Sequence, residues 1–302
     1  MRKRQKIIFV SYFENMKEID SCLLLCKSIR KFIVTLNDAP IIVYYHEIQN
    51  KNAEKYQNEF SELLVELREI KVPQEAFKFA LGGKPFIAAK AEENTPDKAD
   101  ILVFLDPNKI FIDEPKDFLL ADSKHFAYRP VMHQNIGSLF AEKPNKFWKH
   151  LYEKFAISDE SLFPMQTIAD KKIIRPYFNA GFLILRPEYK ILRKWAEYFR
   201  ILYGDETIIE ICKEQKYNIF LHQAALVGAV LNQLKQDELE LLPFSYNYPL
   251  FFENFYDSEI RFDSIEDVIS IKYEFNFKQL PTGWDKKLKG SKEILNWIKM
   301  NL

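Results

Sequence analysis

Ile101-Leu102-Val103-Phe104-Leu105-Asp106-Pro107-Asn108 is an apolar run that ends abruptly in a polar turn. Five apolar residues bounded by a turn are typical of a strand that is buried on both faces of a sheet. Proline lacks a backbone N–H and does not fit a central strand, so Asp-Pro-Asn ends it. The stretch therefore predicts a central β-strand with a carboxylate and an amide at its carboxyl end.

Strands and helices alternate on the N-terminal side of this stretch. Residues 7–12 and 41–45 have strand composition, whereas Ile19–Phe32, 56–67 and 86–93 carry apolar residues at helical spacing. This alternation predicts an α/β domain with a largely parallel sheet. Ligands bind such sheets at the carboxyl ends of the strands, so we expect the segments after the first strand and after Leu105 to line one rim.

The second half of the chain mixes shorter elements. No Gly/Ser-rich boundary separates it from the first half, which favours one continuous domain over residues 1–302. Extended segments are predicted at 126–131, 180–185, 241–248 and 268–273, and helices at Ile191–Tyr203, 222–234 and 292–300.

Composition and charge exclude several classes of protein. The chain has 302 residues, of which 47% are hydrophobic, and its 43 basic residues balance its 43 acidic residues. Such a composition excludes a disordered or collagen-like chain, and a neutral net charge gives no general attraction to nucleic acid or anionic membranes. No apolar run reaches the length of about 18 residues that a membrane span requires, so none is predicted.

The three cysteines predict neither a disulfide framework nor a zinc site. Cys22 and Cys26 lie four residues apart among leucines, which indicates one buried helix face, and no second Cys or His pair follows at a suitable spacing. This usage fits a reducing cytoplasm, which is the localisation that we predict.

Asp106 and Asn108 offer two interpretations. Two oxygen-bearing side chains at a strand end suit a hard divalent cation such as Mg²⁺ or Mn²⁺, which would bridge a diphosphate. Alternatively, Asp-Pro-Asn forms a turn and binds no ligand, because all three residue types are common in turns.

Three further segments carry candidate site residues, each with a structural alternative. Asn179-Ala180-Gly181 would let a ligand approach the backbone, or would form a tight bend. His222-Gln223 would open a helix whose N-terminal amides favour an anion, or would cap a helix. Lys84 and Lys90 flank a helix and would contact a phosphate, or belong to a solvated surface. Gly82-Gly83-Lys84 lacks the spacing of a P-loop.

The order of these segments resembles the GT-A glycosyltransferases, the nucleotide-diphospho-sugar transferases of Rossmann-like fold, and in particular the glycogenin and lipopolysaccharide-galactosyltransferase type of family 8. Ile7-Ile8-Phe9-Val10-Ser11-Tyr12 is similar to the nucleotide-facing first strand of this family. The strand that ends in Asp106-Pro107-Asn108 falls where the family has Asp-x-Asp, and Tyr177-Phe178-Asn179-Ala180-Gly181 matches its Phe-Asn-Ser/Ala-Gly strand. His222-Gln223 takes the place of Asp-Gln, and the resemblance covers residues 7 to 284.

The resemblance implies a central mixed, mostly parallel sheet flanked by helices. It also implies a nucleotide-binding half over about 1–120 and an acceptor half over about 121–302. The implied activity is transfer of a sugar from a nucleotide-diphosphate donor to a carbohydrate or glycoconjugate acceptor, with retention of configuration. Gln223 and Asn179 would be catalytic. The donor would be bound by Ser11, Tyr12, Lys84, Lys90, Asp106, Asn108, Asn179, Ala180, Gly181, His222 and Lys272.

Three departures from the family concern the metal. Asn108 replaces the second Asp, His222 replaces the Asp of Asp-Gln, and the late metal-binding His has no counterpart. Lost anionic ligands weaken binding of Mg²⁺ or Mn²⁺, and Lys272 would neutralise a diphosphate in place of the cation. The sequence thus leaves open a weak metal site at Asp106 and Asn108, a metal-independent enzyme, and a fold that no longer catalyses.

Two other functions compete with the transferase. A catalytically degenerate GT-A protein would bind nucleotide sugars or serve as an interaction module. A nucleotidyltransferase of similar fold would need a Gly-rich basic loop after the first strand, where Ser11-Tyr12-Phe13-Glu14 has no glycine. The aromatic cluster at residues 251–256 would stack on a sugar face or form a corner of the core.

Overall fold

A central mixed sheet organises the molecule. The structure, a computed structural model, describes residues 5–46, 53–95, 99–250, 261–273 and 288–301. The strands of the main sheet are β1 (Ile7–Phe13), β2 (Ile41–His46), β3 (Val65–Ile70), β4 (Ile101–Leu105), β6 (Phe126–Tyr128), β9 (Phe182–Leu185) and β10 (Leu239–Leu241). Their spatial order is β10-β6-β9-β4-β1-β2-β3. All neighbours run parallel except β9, which is antiparallel to both β4 and β6.

Two small sheets and the helices complete the described fold. The small sheets contain β5 (Lys109–Phe111), β11 (Tyr248–Pro249) and β12 (Ser270–Lys272), and separately β7 (Met165–Gln166) and β8 (Ile173–Ile174). The helices are α1 (Ile19–Phe32), α2 (Ala53–Glu62), α3 (Lys84–Glu93), α4 (Lys146–Lys154), α5 (Ile191–Tyr203), α6 (Glu206–Ile211), α7 (Gln215–Gln233) and α8 (Lys292–Asn301). None of the helices in these described segments is both long and apolar enough to span a membrane.

The core lies on both faces of the main sheet. Successive strand residues point to opposite faces, so on β4 Val103 packs on the α1 side, whereas Phe104 packs on the side of α3, α5 and α7. Cys22 and Cys26 are buried on α1, as their spacing predicts. Burial on both faces explains why β4 is a continuous apolar run and why β1 is apolar apart from Ser11. The helices on both sides of the sheet confirm the predicted α/β class.

Two predicted helices have different bounds in the structure. The helix predicted over 56–67 ends at Glu62, and Leu64 takes a left-handed conformation (φ 53°) that turns the chain into β3. The helix predicted to open at His222 begins at Gln215 instead, seven residues earlier in the chain. In the first case Leu67 belongs to β3 but continues the apolar spacing of the helix, and in the second case the exposed residues Gln215 and Lys216 at the start of α7 show no apolar period.

The antiparallel direction of β9 creates the rim on which the site lies. Leu105, at the end of β4, pairs with Phe182, at the start of β9. The residues that follow β4 and those that precede β9 therefore meet at one edge of the sheet. The Asp106 N–H donates a 2.9 Å hydrogen bond to the Gly181 carbonyl and fixes this junction.

Candidate active site

Asp106 is the centre of the polar group at this rim. Its Oδ1 lies 2.5 Å from Lys84 Nζ and accepts a 2.9 Å hydrogen bond from the Tyr12 hydroxyl. Lys84 is the first residue of α3, and its side chain is only 1% exposed. Ends of two strands and the start of one helix thus bring a carboxylate, an ammonium and a phenol together.

Gly181 allows this arrangement because it has no side chain. A Cβ at Gly181 would lie 2.0 Å from Asp106 Oδ2. The Gly181 N–H donates a 3.0 Å hydrogen bond to Asn179 Oδ1, and the Asn179 N–H donates to the Arg129 carbonyl at 2.8 Å. The amide of Asn179 is therefore held beside the carboxylate of Asp106, whereas Ala180 between them is buried in the core.

Two more lysines add positive charge next to Asp106. Lys109 opens β5 and pairs across the small sheet with Lys272 of β12, while Lys109 itself is fully buried. Burial alone would raise the pKa of the Asp106 carboxyl, but Lys84, Lys109 and Lys272 together hold that pKa well below its usual range. Asp106 is therefore an anion enclosed by cations, and burial together with Lys272 and Lys84 lowers the pKa of Lys109.

The side chain of Asn108 is engaged with protein groups. Its Nδ2 donates a 2.7 Å hydrogen bond to the Tyr273 carbonyl, and its Oδ1 accepts from Lys109 Nζ at 3.3 Å. The Tyr273 N–H returns a 3.2 Å bond to the Asn108 carbonyl. Asn108 thus connects the segment after β4 to the segment after β12. This is a structural role, as in the interpretation of Asp-Pro-Asn as a turn without a ligand.

His222 and Gln223 lie within α7, where they have no free helix amides to offer an anion. His222 is 3% exposed, its Nδ1 faces the Ile219 carbonyl at 3.1 Å, and its own carbonyl accepts from the Trp195 indole at 2.6 Å. Burial, with Lys84 nearby, lowers the pKa of His222 to about 3, so the imidazole is neutral. Gln223 lies beside Tyr177, and its Nε2 is buried without a hydrogen-bond partner among the described residues.

Two of the predicted site residues lie apart from this group. Ser11 points to the α1 face of β1, where its hydroxyl donates to the Leu105 carbonyl at 3.0 Å. Lys90 lies six residues beyond Lys84, which is about 9 Å along α3, and it points to another side of that helix. It forms a surface ion pair with Glu93 at 2.8 Å. Tyr12, the next residue, lies on the opposite face of β1, and its hydroxyl donates to Asp106.

Sequence reasoning misses Lys109 and Glu14. Lys109 follows Asn108 directly and opens a buried strand, so a charged residue at the start of an apolar run is the available signal. Glu14 follows β1, and its Oε1 is buried without a partner in the part of the chain that the structure describes. Burial, together with the neighbouring Glu18, raises the pKa of Glu14 to about 7, against the opposing effect of Lys84.

The donor atoms at this rim do not fit a divalent cation. Asp106 Oδ1 contacts an ammonium, and Asn108 Oδ1 accepts from another, so both candidate ligands already face cations. A group of three or more His, Cys, Asp or Glu side chains that would hold a metal is absent from the described segments. Mg²⁺ and Mn²⁺ prefer several carboxylate or carbonyl oxygens, which are not gathered here.

The fold is that of the GT-A glycosyltransferases. The bifunctional glycosyltransferase WbbM in its apo form superposes with a TM-score of 0.56 at 13% identity, over 100% of this chain and 52% of WbbM. Galactosyltransferase LgtC, in complex with donor and acceptor sugar analogues, gives a TM-score of 0.49 at 15% identity, over 98% of this chain and 100% of LgtC. Mouse xyloside xylosyltransferase 1 gives 0.46 at 10% identity, over 89% of this chain and 96% of that one. The WbbM superposition carries the assignment of the fold.

The sequence also matches one protein family directly. The family described as the Rhodobacterales glycosyltransferase domain matches residues 13–233, which is well over half of the chain. The chain belongs to this family and is a glycosyltransferase. No protein of curated function matches the sequence.

Proposed function

We propose that this glycosyltransferase moves a sugar from a nucleotide-diphosphate sugar to a hydroxyl of a carbohydrate or glycoconjugate acceptor. In this reaction the bond between the anomeric carbon and the diphosphate oxygen breaks, and a bond from that carbon to the acceptor oxygen forms. The acceptor hydroxyl loses its proton, and a nucleoside diphosphate leaves. Family membership supports sugar transfer, and the chemistry of the rim supports this class of donor.

The observation that carries the donor assignment is the excess of positive charge around Asp106. Three lysines, Lys84, Lys109 and Lys272, act on one carboxylate in a largely buried setting. Electrostatic stabilisation of developing negative charge often contributes more to catalysis than any other effect, and it is strongest where water is excluded. A leaving diphosphate is an anion, and the lysines of this group would stabilise the negative charge that develops on it.

Asn179 and Gln223 are the residues that we place beside the reacting sugar. The Asn179 amide lies at the rim next to Gly181 and Asp106. Gln223 lies beside Tyr177, and Tyr177 precedes Asn179 by two residues in the chain. A buried donor without a partner costs about 1–3 kcal/mol, so a sugar or acceptor oxygen that accepts from Gln223 Nε2 would relieve that cost. In this proposal residues of about 1–120 supply most of the donor site, and residues of about 121–302 add Lys272 to it and form the acceptor side.

The test is a transfer assay with a panel of UDP-, GDP-, ADP-, CDP- and dTDP-sugars, with release of nucleoside diphosphate as the readout. Gln223→Met should lower turnover at least tenfold without changing the melting temperature by more than about 2 °C. Gln233→Met, at the half-buried end of the same helix, is the matched control and should retain full turnover. Release by none of the donors would overturn the proposed reaction.

The alternative is a nucleotide-sugar binder without catalysis. It is favoured by one specific observation, namely that Asn108 and the Oδ1 of Asp106 are both engaged with protein groups. Isothermal titration separates the two functions, because a binder would give saturable heat with a nucleotide sugar and no product over hours of incubation.

A further inference from the structure

We propose that the donor site holds a diphosphate without a divalent cation, and that the ammonium group of Lys84 takes the place of the metal. This inference rests on the proposed function, since it concerns the same donor. It goes further by giving Lys84 the place of the metal, for which the sequence suggests Lys272.

The position of Lys84 supports this role. A catalytic cation in such a site must be held by a carboxylate on one side and face the phosphates on the other. Lys84 Nζ is held by Asp106 Oδ1 at 2.5 Å, and it lies 5.8 Å from the centre of the Tyr12 ring. Tyr12 also hydrogen-bonds Asp106, so the carboxylate is fixed from two directions and fixes the ammonium in turn.

Lys109 and Lys272 extend the cationic surface. They are directly opposed residues of an antiparallel pair, so their side chains leave the small sheet on the same face. Like charges in that arrangement repel each other, and burial of Lys109 increases the cost. A dianion between them would convert this repulsion into attraction, which is a physical reason for a folded protein to retain the pair.

The same charges disfavour a metal. A divalent cation at Asp106 Oδ1 would displace Lys84, and one at Oδ2 would remain beside the charges of Lys84, Lys109 and Lys272. Coulomb repulsion between unit charges a few ångströms apart amounts to several kcal/mol at the effective dielectric constant of a partly buried site. A diphosphate therefore matches the electrostatic field of this rim, whereas Mn²⁺ or Mg²⁺ opposes it.

The experiment measures binding of UDP, GDP, ADP, CDP and dTDP by isothermal titration, first with excess EDTA and then with Mn²⁺ or Mg²⁺. We expect at least one nucleoside diphosphate to bind with a dissociation constant that differs less than threefold between the two conditions. Binding only with the metal would overturn this inference and leave the proposed function intact. Binding of none in either condition would overturn both.

Substitutions then assign the charge to Lys84. Lys84→Met should raise the dissociation constant for the bound diphosphate at least tenfold in EDTA, whereas Lys90→Met, on the exposed side of the same helix, should leave it unchanged. The double variant Lys84→Met/Asp106→Asn removes both members of the ion pair and so keeps the net charge of the group. It should still show at least a tenfold loss of affinity while folded, because the Lys84 ammonium no longer contacts the diphosphate. Unchanged diphosphate affinity in the folded double variant would overturn the role of Lys84.

Discussion

Substitution of Gly181 by alanine tests how the site is assembled. The added Cβ would lie 2.0 Å from Asp106 Oδ2 and 2.7 Å from its Cγ, whereas ordinary contact begins at 3.4 Å. The backbone cannot relieve the clash cheaply, because the Asp106 N–H is bonded to the Gly181 carbonyl at 2.9 Å. The carboxylate itself must therefore rotate away, and it loses the contacts with Lys84 and Tyr12 at 2.5 and 2.9 Å.

The cost follows from the loss of a buried ion pair. Such a loss destabilises a protein by about 3–5 kcal/mol, and we expect the lower end because the Asp106 side chain is 16% exposed. A loss of about 3 kcal/mol corresponds to a fall in melting temperature of about 6 °C for a chain of this size. The affinity for a nucleoside diphosphate should change in the same variant, because Lys84 loses the group that holds it.

Gly204→Ala is the matched control for this prediction. A Cβ at Gly204, which follows α5 with φ −92°, would meet nothing closer than 3.5 Å. Thermal unfolding followed by circular dichroism should give a shift within about 1 °C for this control. Equal melting temperatures and equal diphosphate affinities for Gly181→Ala and the unaltered protein would refute the argument that Asp106 occupies the space next to Gly181.

Other predictions concern buried charges. Glu92→Ala should lower the free energy of unfolding, measured in urea, by about 3 kcal/mol. Glu92 accepts hydrogen bonds from the Leu192 and Arg193 N–H groups and pairs with the Arg193 side chain at 3.2 Å. The exposed control Glu93→Ala should lower it by less than about 0.5 kcal/mol. Burial favours the protonated form of Glu14, so raising the pH from 4.5 to 7 should destabilise the unaltered protein relative to Glu14→Gln by up to about 1.4 kcal/mol per unit. Burial favours the neutral form of His222, so lowering the pH from 6.5 towards 3 should destabilise the unaltered protein relative to His222→Gln, again by up to about 1.4 kcal/mol per pH unit. A variant whose stability changes with pH as that of the unaltered protein does would contradict the prediction for its residue.

The parts of the site that follow strong strand patterns can be predicted from the sequence. The family resemblance suggests that Asp106 and Asn179-Ala180-Gly181 belong to one site, and the antiparallel pairing of Leu105 with Phe182 brings these segments to one edge of the sheet. The bounds of α1 and α5 are also predictable, because their buried faces keep an uninterrupted helical period.

What the sequence cannot show is where each polar side chain is engaged. Asn108 and Ser11 are expected to face a ligand, but backbone carbonyls from distant segments accept their hydrogen bonds. The local signal of Lys109 is only a charge at the start of an apolar run, and its role depends on its pairing with Lys272, more than 160 positions later in the chain. Contacts of this kind depend on tertiary structure and leave no local pattern. The predicted aromatic cluster at 251–256 lies outside the described residues.

The insertion of β9 between β4 and β6 has a consequence for synthesis on the ribosome. β4 emerges early and is apolar throughout, yet the strand that covers its second edge is not translated until residue 185. For some eighty residues of elongation the nascent chain exposes an open apolar strand edge, which is a template for pairing with other chains. Completion of the rim and protection from aggregation therefore occur in a single event, the docking of β9.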